Sequence, residues 1–131
     1  MKMTDYSRAD EAIIQKVEGY TFDTIPSKGH RPVIQWEYPE FQSLCPVSER
    51  HDQGILVLRY KPVDHILESK SMREYLSAWR NNLIWQEYVT DVIAGDVFEA
   101  IKPEWLSVEI EWTPRGGIYA TTRAIRGNIK E

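Results

Sequence analysis

Cys45 is the single cysteine of this chain, and it stands in a segment whose residue types suit nucleophilic chemistry: Glu40-Phe41-Gln42-Ser43-Leu44-Cys45-Pro46, with Asp52 seven residues beyond the thiol. A lone cysteine makes no intramolecular disulfide. It is either a small buried hydrophobe or a free thiol kept for its reactivity. A reactive thiol works as thiolate, so it needs a neighbour to take its proton and a donor to protonate whatever it attacks. Ser48-Glu49-Arg50-His51-Asp52 offers a hydroxyl, a base, a cation and an acid within a few residues, and Pro46 fixes the backbone directly after the sulfur.

Three other segments carry groups that could serve such a centre. Glu68-Ser69-Lys70-Ser71-Met72-Arg73-Glu74-Tyr75 stands where a helix begins. Free backbone N–H groups there, with Lys70 and Arg73, could dock phosphates; a capped helix with a solvated charged face accounts for the same residues. Thr113-Pro114-Arg115-Gly116-Gly117 reads as a hairpin turn, and Arg115 gains chemical meaning where it joins Lys70 and Arg73 around one anion. Gln86-Glu87 opens a second helix. Glu87 either complements the helix dipole or points into a cleft and accepts two N–H bonds from a guanine-like edge. No GxGxxG or GxxxxGK[ST] pattern occurs. His30, His51 and His65 are scattered through loops, and one cysteine builds no zinc cluster, so no metal is expected.

The elements that must position these groups follow from pattern. Residues 1–30 read as a polar arm with a short helix over Ala9–Val17, and residues 31–131 as a single domain. Val33–Tyr38 has strand composition, with Pro39 expected to stop it. Gly54–Tyr60 is a second strand, apolar on both faces and so expected to be covered on both. Met72, Tyr75, Leu76 and Trp79 fall at helical spacing, with Ser69 or Ser71 placed to cap. Asn81-Asn82 breaks that helix. A second runs from Gln86 to Ile101 with Val89, Val92, Ile93, Val97 and Ile101 inward, ended by Lys102-Pro103. Leu106, Val108, Ile110 and Trp112 alternate with Ser107, Glu109 and Glu111 as a strand, and Ile118–Ile125 returns as the last. The order is β-β-α-α-β-β, an α+β arrangement of two hairpins around a helix pair.

The chain has 131 residues, a net charge of −4 and 42% hydrophobic residues. The acidic balance argues against a polyanion as the main partner, because such proteins usually present a basic face, although Arg123, Arg126 and Lys130 could form a local basic patch. No apolar run approaches the ~20 residues that span a bilayer. With no apolar leader and one free cysteine, a reducing cytoplasm is expected. Five Trp and seven Tyr suit a core and large subunit interfaces.

Taken together and in order, Phe41–Pro46, Asp52, Glu68–Tyr75 and Thr113–Gly117 resemble the NADPH-dependent 7-cyano-7-deazaguanine reductases, nitrile reductases of the queuosine pathway with the tunnel fold. The resemblance covers residues 33–120. It implies antiparallel sheets that close into a barrel in a ring oligomer, such as stacked pentamers. It also implies that Cys45 attacks the nitrile carbon to form a thioimide, that Asp52 moves the proton, and that Glu87, with Gln86 and Ser69, holds the deazaguanine. Glu68, Ser69, Lys70, Arg73 and Arg115 would lie along the NADPH segment. The family usually has His-Glu where this chain has Gln86-Glu87, and Lys followed by Leu or Tyr where Arg73 and Glu74 stand. The related QueF-like archaeosine synthases resemble the reductases around Cys and Asp, but add ammonia to the nitrile on tRNA without NADPH. A non-catalytic purine-binding tunnel-fold protein is the third reading.

Overall fold

The computed structural model describes residues 22–129; the helix expected over Ala9–Val17, and Lys130, lie outside them. Six strands and two helices follow in order: β1 (Thr24–Pro26), β2 (Ile34–Leu44), β3 (His51–Lys61), β4 (His65–Leu67), α1 (Ser69–Ala78), a 3-10 turn (Trp79–Asn81), α2 (Gln86–Ile101), β5 (Trp105–Trp112) and β6 (Thr121–Gly127). The long strands form one antiparallel sheet in the order β2-β3-β5-β6, and β1 and β4 form a separate two-stranded ribbon. The expected β-β-α-α-β-β order is therefore present, with the ribbon added to it. Three residues per ribbon strand are too few for periodicity to mark them.

Both helices lie on one face of the main sheet. Leu56, Leu58 and Tyr60 of β3 and Leu106, Val108 and Ile110 of β5 point into the core, where they meet Val89, Ile93, Val97 and Ile101 of α2. Lys102 adopts a left-handed conformation (φ 45°) and closes α2. Pro103 follows, as a residue that cannot continue a helix should. Tyr75 of α1 donates a 2.6 Å hydrogen bond to Asp96 Oδ2 of α2, bracing the helices against each other. Burial, and then that carboxylate, push the phenol pKa up, so it stays a donor.

Four details differ from expectation. Pro39 does not stop β2: the strand runs on to Leu44, and its register slips between Tyr38 and Phe41. β2 is an edge strand, and an edge or a bulge is where a residue without an N–H is tolerated in a sheet. Among the described residues β3 is covered on one face only, since Ile55 is 41% exposed and Arg59 lies open beyond it. The last strand begins at Thr121, not Ile118, and Ile118 and Tyr119 are exposed. Finally, neither Ser69 nor Ser71 caps α1. Glu68 does, its carboxylate accepting from the N–H groups of Lys70 at 2.8 Å and Ser71 at 2.7 Å.

Those two hydrogen bonds, then nearby Lys70 and Arg73, hold the Glu68 carboxyl below its ordinary pKa of 4.5. A lowered folded-state pKa means that the cap's contribution is complete above the ordinary glutamate value and is lost as pH falls through the lowered one. Glu68→Ala should therefore lower the melting temperature at neutral pH, and the gap to the native chain should close on acidification below pH 4.5. A gap independent of pH in thermal melts would show that Glu68 acts by packing instead.

Candidate active site

The thiol is placed by two pairings. Across the β2–β3 hairpin, Ser43 is the register partner of Asp52, and Leu44 of His51. The turn after them is closed by Cys45 N–H donating to Arg50 O and Glu49 N–H donating to Cys45 O, both at 2.9 Å. Glu49 takes a left-handed conformation (φ 56°) to complete it. Both backbone polar groups of Cys45 are thus fixed, and its side chain is half-buried. On the other side, Leu44 N–H donates to Asn82 O and Ile84 N–H to Leu44 O, each at 3.0 Å. This parallel bridge to Leu83 sets the cysteine beside the segment that enters α2, whose first turn carries Gln86, half-buried, and Glu87, exposed.

Asp52 is buried, with 6% of its surface exposed. Its Oδ1 accepts a 2.6 Å hydrogen bond from Arg115 Nη1. β3–β5 pairing continues past Trp112, with Thr113 N–H donating to Gln53 O at 2.8 Å, and this carries the 113–120 loop back over β3. Close approach of the two strands needs Gly54: a Cβ there would lie 2.7 Å from Ile110 Cγ2 and 2.8 Å from Glu111 O. A charge-assisted pair on a buried carboxylate is worth more than a surface one, because losing the cation strands the anion. Beside it, the Ser43 hydroxyl is buried with no hydrogen-bond partner, as is Gln42 Oε1. Buried hydroxyls are normally paired; this one stands on the register partner of Asp52.

Ser69, Lys70 and Arg73 are exposed at the start of α1. Ser69 and Arg73 line a hollow of about 350 Å³ with Trp36 and Tyr38. The first-turn N–H groups of Lys70 and Ser71 are not free for phosphate, because Glu68 takes them. Nor does Arg115 join Lys70 and Arg73: it sits on Asp52 and lines a different hollow. Cys45 stands nine positions after Trp36, roughly 30 Å of extended chain. Within the chain, then, Cys45, Asp52, Arg115 and the start of α2 come together, while Ser69, Lys70 and Arg73 stand apart. The expected basic patch is also altered. Arg123 pairs with Glu109 at 3.3 Å and Arg126 with Asp91 at 2.6 Å. Sequence reasoning missed the Arg115–Asp52 contact, for which no signal exists at a separation of 63 residues.

The family model of QueF-like proteins matches residues 51–131. The NADPH-dependent 7-cyano-7-deazaguanine reductase of Nitrobacter winogradskyi is 43% identical over 93 residues, covering 71% of this chain and 59% of that protein. The protein of the same name from Granulibacter bethesdensis is 38% identical over 109 residues, 83% of this chain and 67% of that one. That of Zymomonas mobilis is 36% identical over 117 residues, 88% and 80%. The chain spans about three fifths of the length of the first of these relatives. Among solved structures, the apo archaeosine synthase QueF-Like superposes with a TM-score of 0.69 over 75% of this chain and 96% of that one, at 18% identity. That likeness is one of fold.

Proposed function

Because the chain belongs to the QueF-like protein family, we propose that it is an NADPH-dependent nitrile reductase, converting 7-cyano-7-deazaguanine to 7-aminomethyl-7-deazaguanine through a cysteine thioimide. The observation that carries this reading is the convergence of Cys45, buried Asp52 and the first turn of α2 at one end of the β2–β3 hairpin. Asp52 takes the thiol proton, the sulfur adds to the nitrile carbon, and the nitrogen receives the proton as the triple bond becomes C=N. Glu87 accepts N–H bonds from the pyrimidine edge of the base, with Gln86 beside it. NADPH, when bound, supplies the reducing equivalents that take this stage to the amine. Ser69, Lys70 and Arg73 suit its phosphates, and the Trp36–Tyr38 wall of their hollow suits a flat ring. The catalytic domain takes in residues from 31 onward together with β1, which pairs with β4, and it works in the reducing cytoplasm that a free thiol favours.

Mixing the protein with the cyano base should give the absorbance of a thioimide and a matching mass increase, and added NADPH should then be oxidised. Adduct formation without NADPH oxidation, followed by conversion to an amidine with ammonia, would favour the second reading. One observation supports that alternative: Glu68 blocks the helix N–H groups that a phosphate would use.

Glu87→Ala should weaken binding of the base by about 1–3 kcal/mol, the cost of leaving donors unpaired. Titration calorimetry showing unchanged affinity would reduce Glu87 to a partner of the helix dipole.

The separation of Lys70 and Arg73 from Cys45 supports a site completed between subunits. Among the described residues no strand pairs with the outer edges of β2 and β6, and an open edge is normally paired, covered or blunted. Sedimentation at micromolar concentration should therefore find a ring oligomer; a stable monomer removes the tunnel.

A further inference from the structure

One hydroxyl ties α2 to the sheet. Trp112 Nε1–H of β5 donates to Thr122 Oγ1 of β6 at 3.0 Å. Thr122 Oγ1 in turn lies 2.6 Å from Thr90 Oγ1 of α2, a hydrogen bond that either hydroxyl can donate. Thr90 is 2% exposed and Trp112 3%, so water competes little for these bonds. We propose that Thr122 is a positioning residue: through Thr90 it holds the first turn of α2, and with it Glu87, in place relative to Cys45.

Trp85 gives α2 no side-chain cap, so the start of the helix is held from outside it. Ahead of the first turn, Ile84 N–H donates to Leu44 O at 3.0 Å, one residue before the thiol. Behind the turn stands Thr90. Glu87 lies three positions before Thr90 and Gln86 four, which puts both on its side of the helix. The burial of Val89 and Ile93 is non-directional and sets how deep α2 lies, whereas a hydrogen bond has direction and sets its roll. The other end of the network reaches the hairpin of Cys45 and Asp52. Trp112 is the register partner of Gly54 on β3, and its ring meets Phe41 of β2 edge to face, with centroids 6.0 Å apart. The strands that carry the sulfur and the helix that carries Glu87 are therefore linked through the Thr122 hydroxyl. A base held by Glu87 must present its nitrile to Cys45, and misplacing reacting groups by about 1 Å can cost about 10²-fold. The consequence for adduct formation rests on the proposed roles of Cys45 and Glu87, whereas the hold on α2 does not.

Thr122→Val keeps the branched shape of the side chain and removes the hydroxyl. Amide hydrogen exchange on the full chain without substrate should then show Tyr88, Val89 and Thr90 exchanging about fivefold faster, the net worth of one buried hydrogen bond. Val97 and Ile101, at the far end of α2, should keep the native rate. Thr90→Val breaks the same bond from the helix side, leaves the indole bonded to Thr122, and should give the same local effect; it carries the test where Thr122→Val does not fold. Unchanged exchange in the first turn, or faster exchange along the whole of α2, overturns the hold. With the cyano base, the second-order rate of adduct formation should fall about tenfold in Thr122→Val and recover in Thr122→Ser. In the Glu87→Ala background the valine substitution should change that rate by about twofold at most, because its effect passes through Glu87. A full tenfold loss there, or no recovery with serine, overturns the positioning role. If the native protein forms no adduct, the proposed reaction fails while hydrogen exchange still decides the hold on α2.

Discussion

Cys45→Ala should abolish the covalent adduct with the cyano base, with the mass increase and the thioimide absorbance both lost. The reason is that no other sulfur nucleophile exists: Cys45 is the only cysteine in the chain. The substitution removes one half-buried atom at the end of a strand whose backbone bonds to Arg50, Glu49, Asn82 and Ile84 are untouched. Thermal stability should therefore move little, within the range usual for changes away from the packed core. The clean measurement is intact-protein mass spectrometry after incubation with the base, alongside a melting curve. An adduct that survives in the alanine variant would falsify the assignment and move the chemistry to another nucleophile.

Asp52→Asn is expected to lower turnover by roughly two to four orders of magnitude, the usual contribution of a positioned acid–base group. Asparagine keeps the size and an acceptor for Arg115, so the hydrogen bond at Oδ1 can persist while proton transfer cannot. The adduct should form more slowly in this variant as well, since the thiol loses the group that takes its proton. Measuring adduct formation and NADPH oxidation separately distinguishes the two steps. A loss of only a few-fold would pass the role to His51, the adjacent exposed residue on β3. Burial argues for Asp52, which is 6% exposed and paired in register with Ser43 on the strand that leads to Cys45, while His51 is open to solvent.

The Arg115–Asp52 pair changes how the cation set is understood. Lys70, Arg73 and Arg115 could have surrounded one anion, yet they line separate hollows. Glu68, which belongs to the same segment as Lys70 and Arg73, acts on the helix itself by capping it. It thereby fixes where α1 begins, and hence where Lys70 and Arg73 stand.

By itself the sequence determined the elements whose signals are local. The alternation of Leu106, Val108, Ile110 and Trp112 specified β5 and its buried face. The spacing from Val89 to Ile101 specified α2 to its observed ends. The order of the long strands and helices followed from those signals, and so did the nomination of Cys45 and Asp52, which lie seven residues apart on one hairpin. Only the tertiary structure decided what pairs across distance. Pro39 could continue within β2 because that strand is an edge with a register slip, which depends on which strand lies beside it. Ser69 and Ser71 gave way to Glu68 as the cap because capping depends on where the chain leaves β4, a matter of backbone geometry. Arg115 reached Asp52 rather than Lys70 because β5 pairs with β3, and that register carries the following loop to the hairpin end. A hydrogen bond between residues 63 apart leaves no mark in composition or period, since its partners meet only after the sheet has formed.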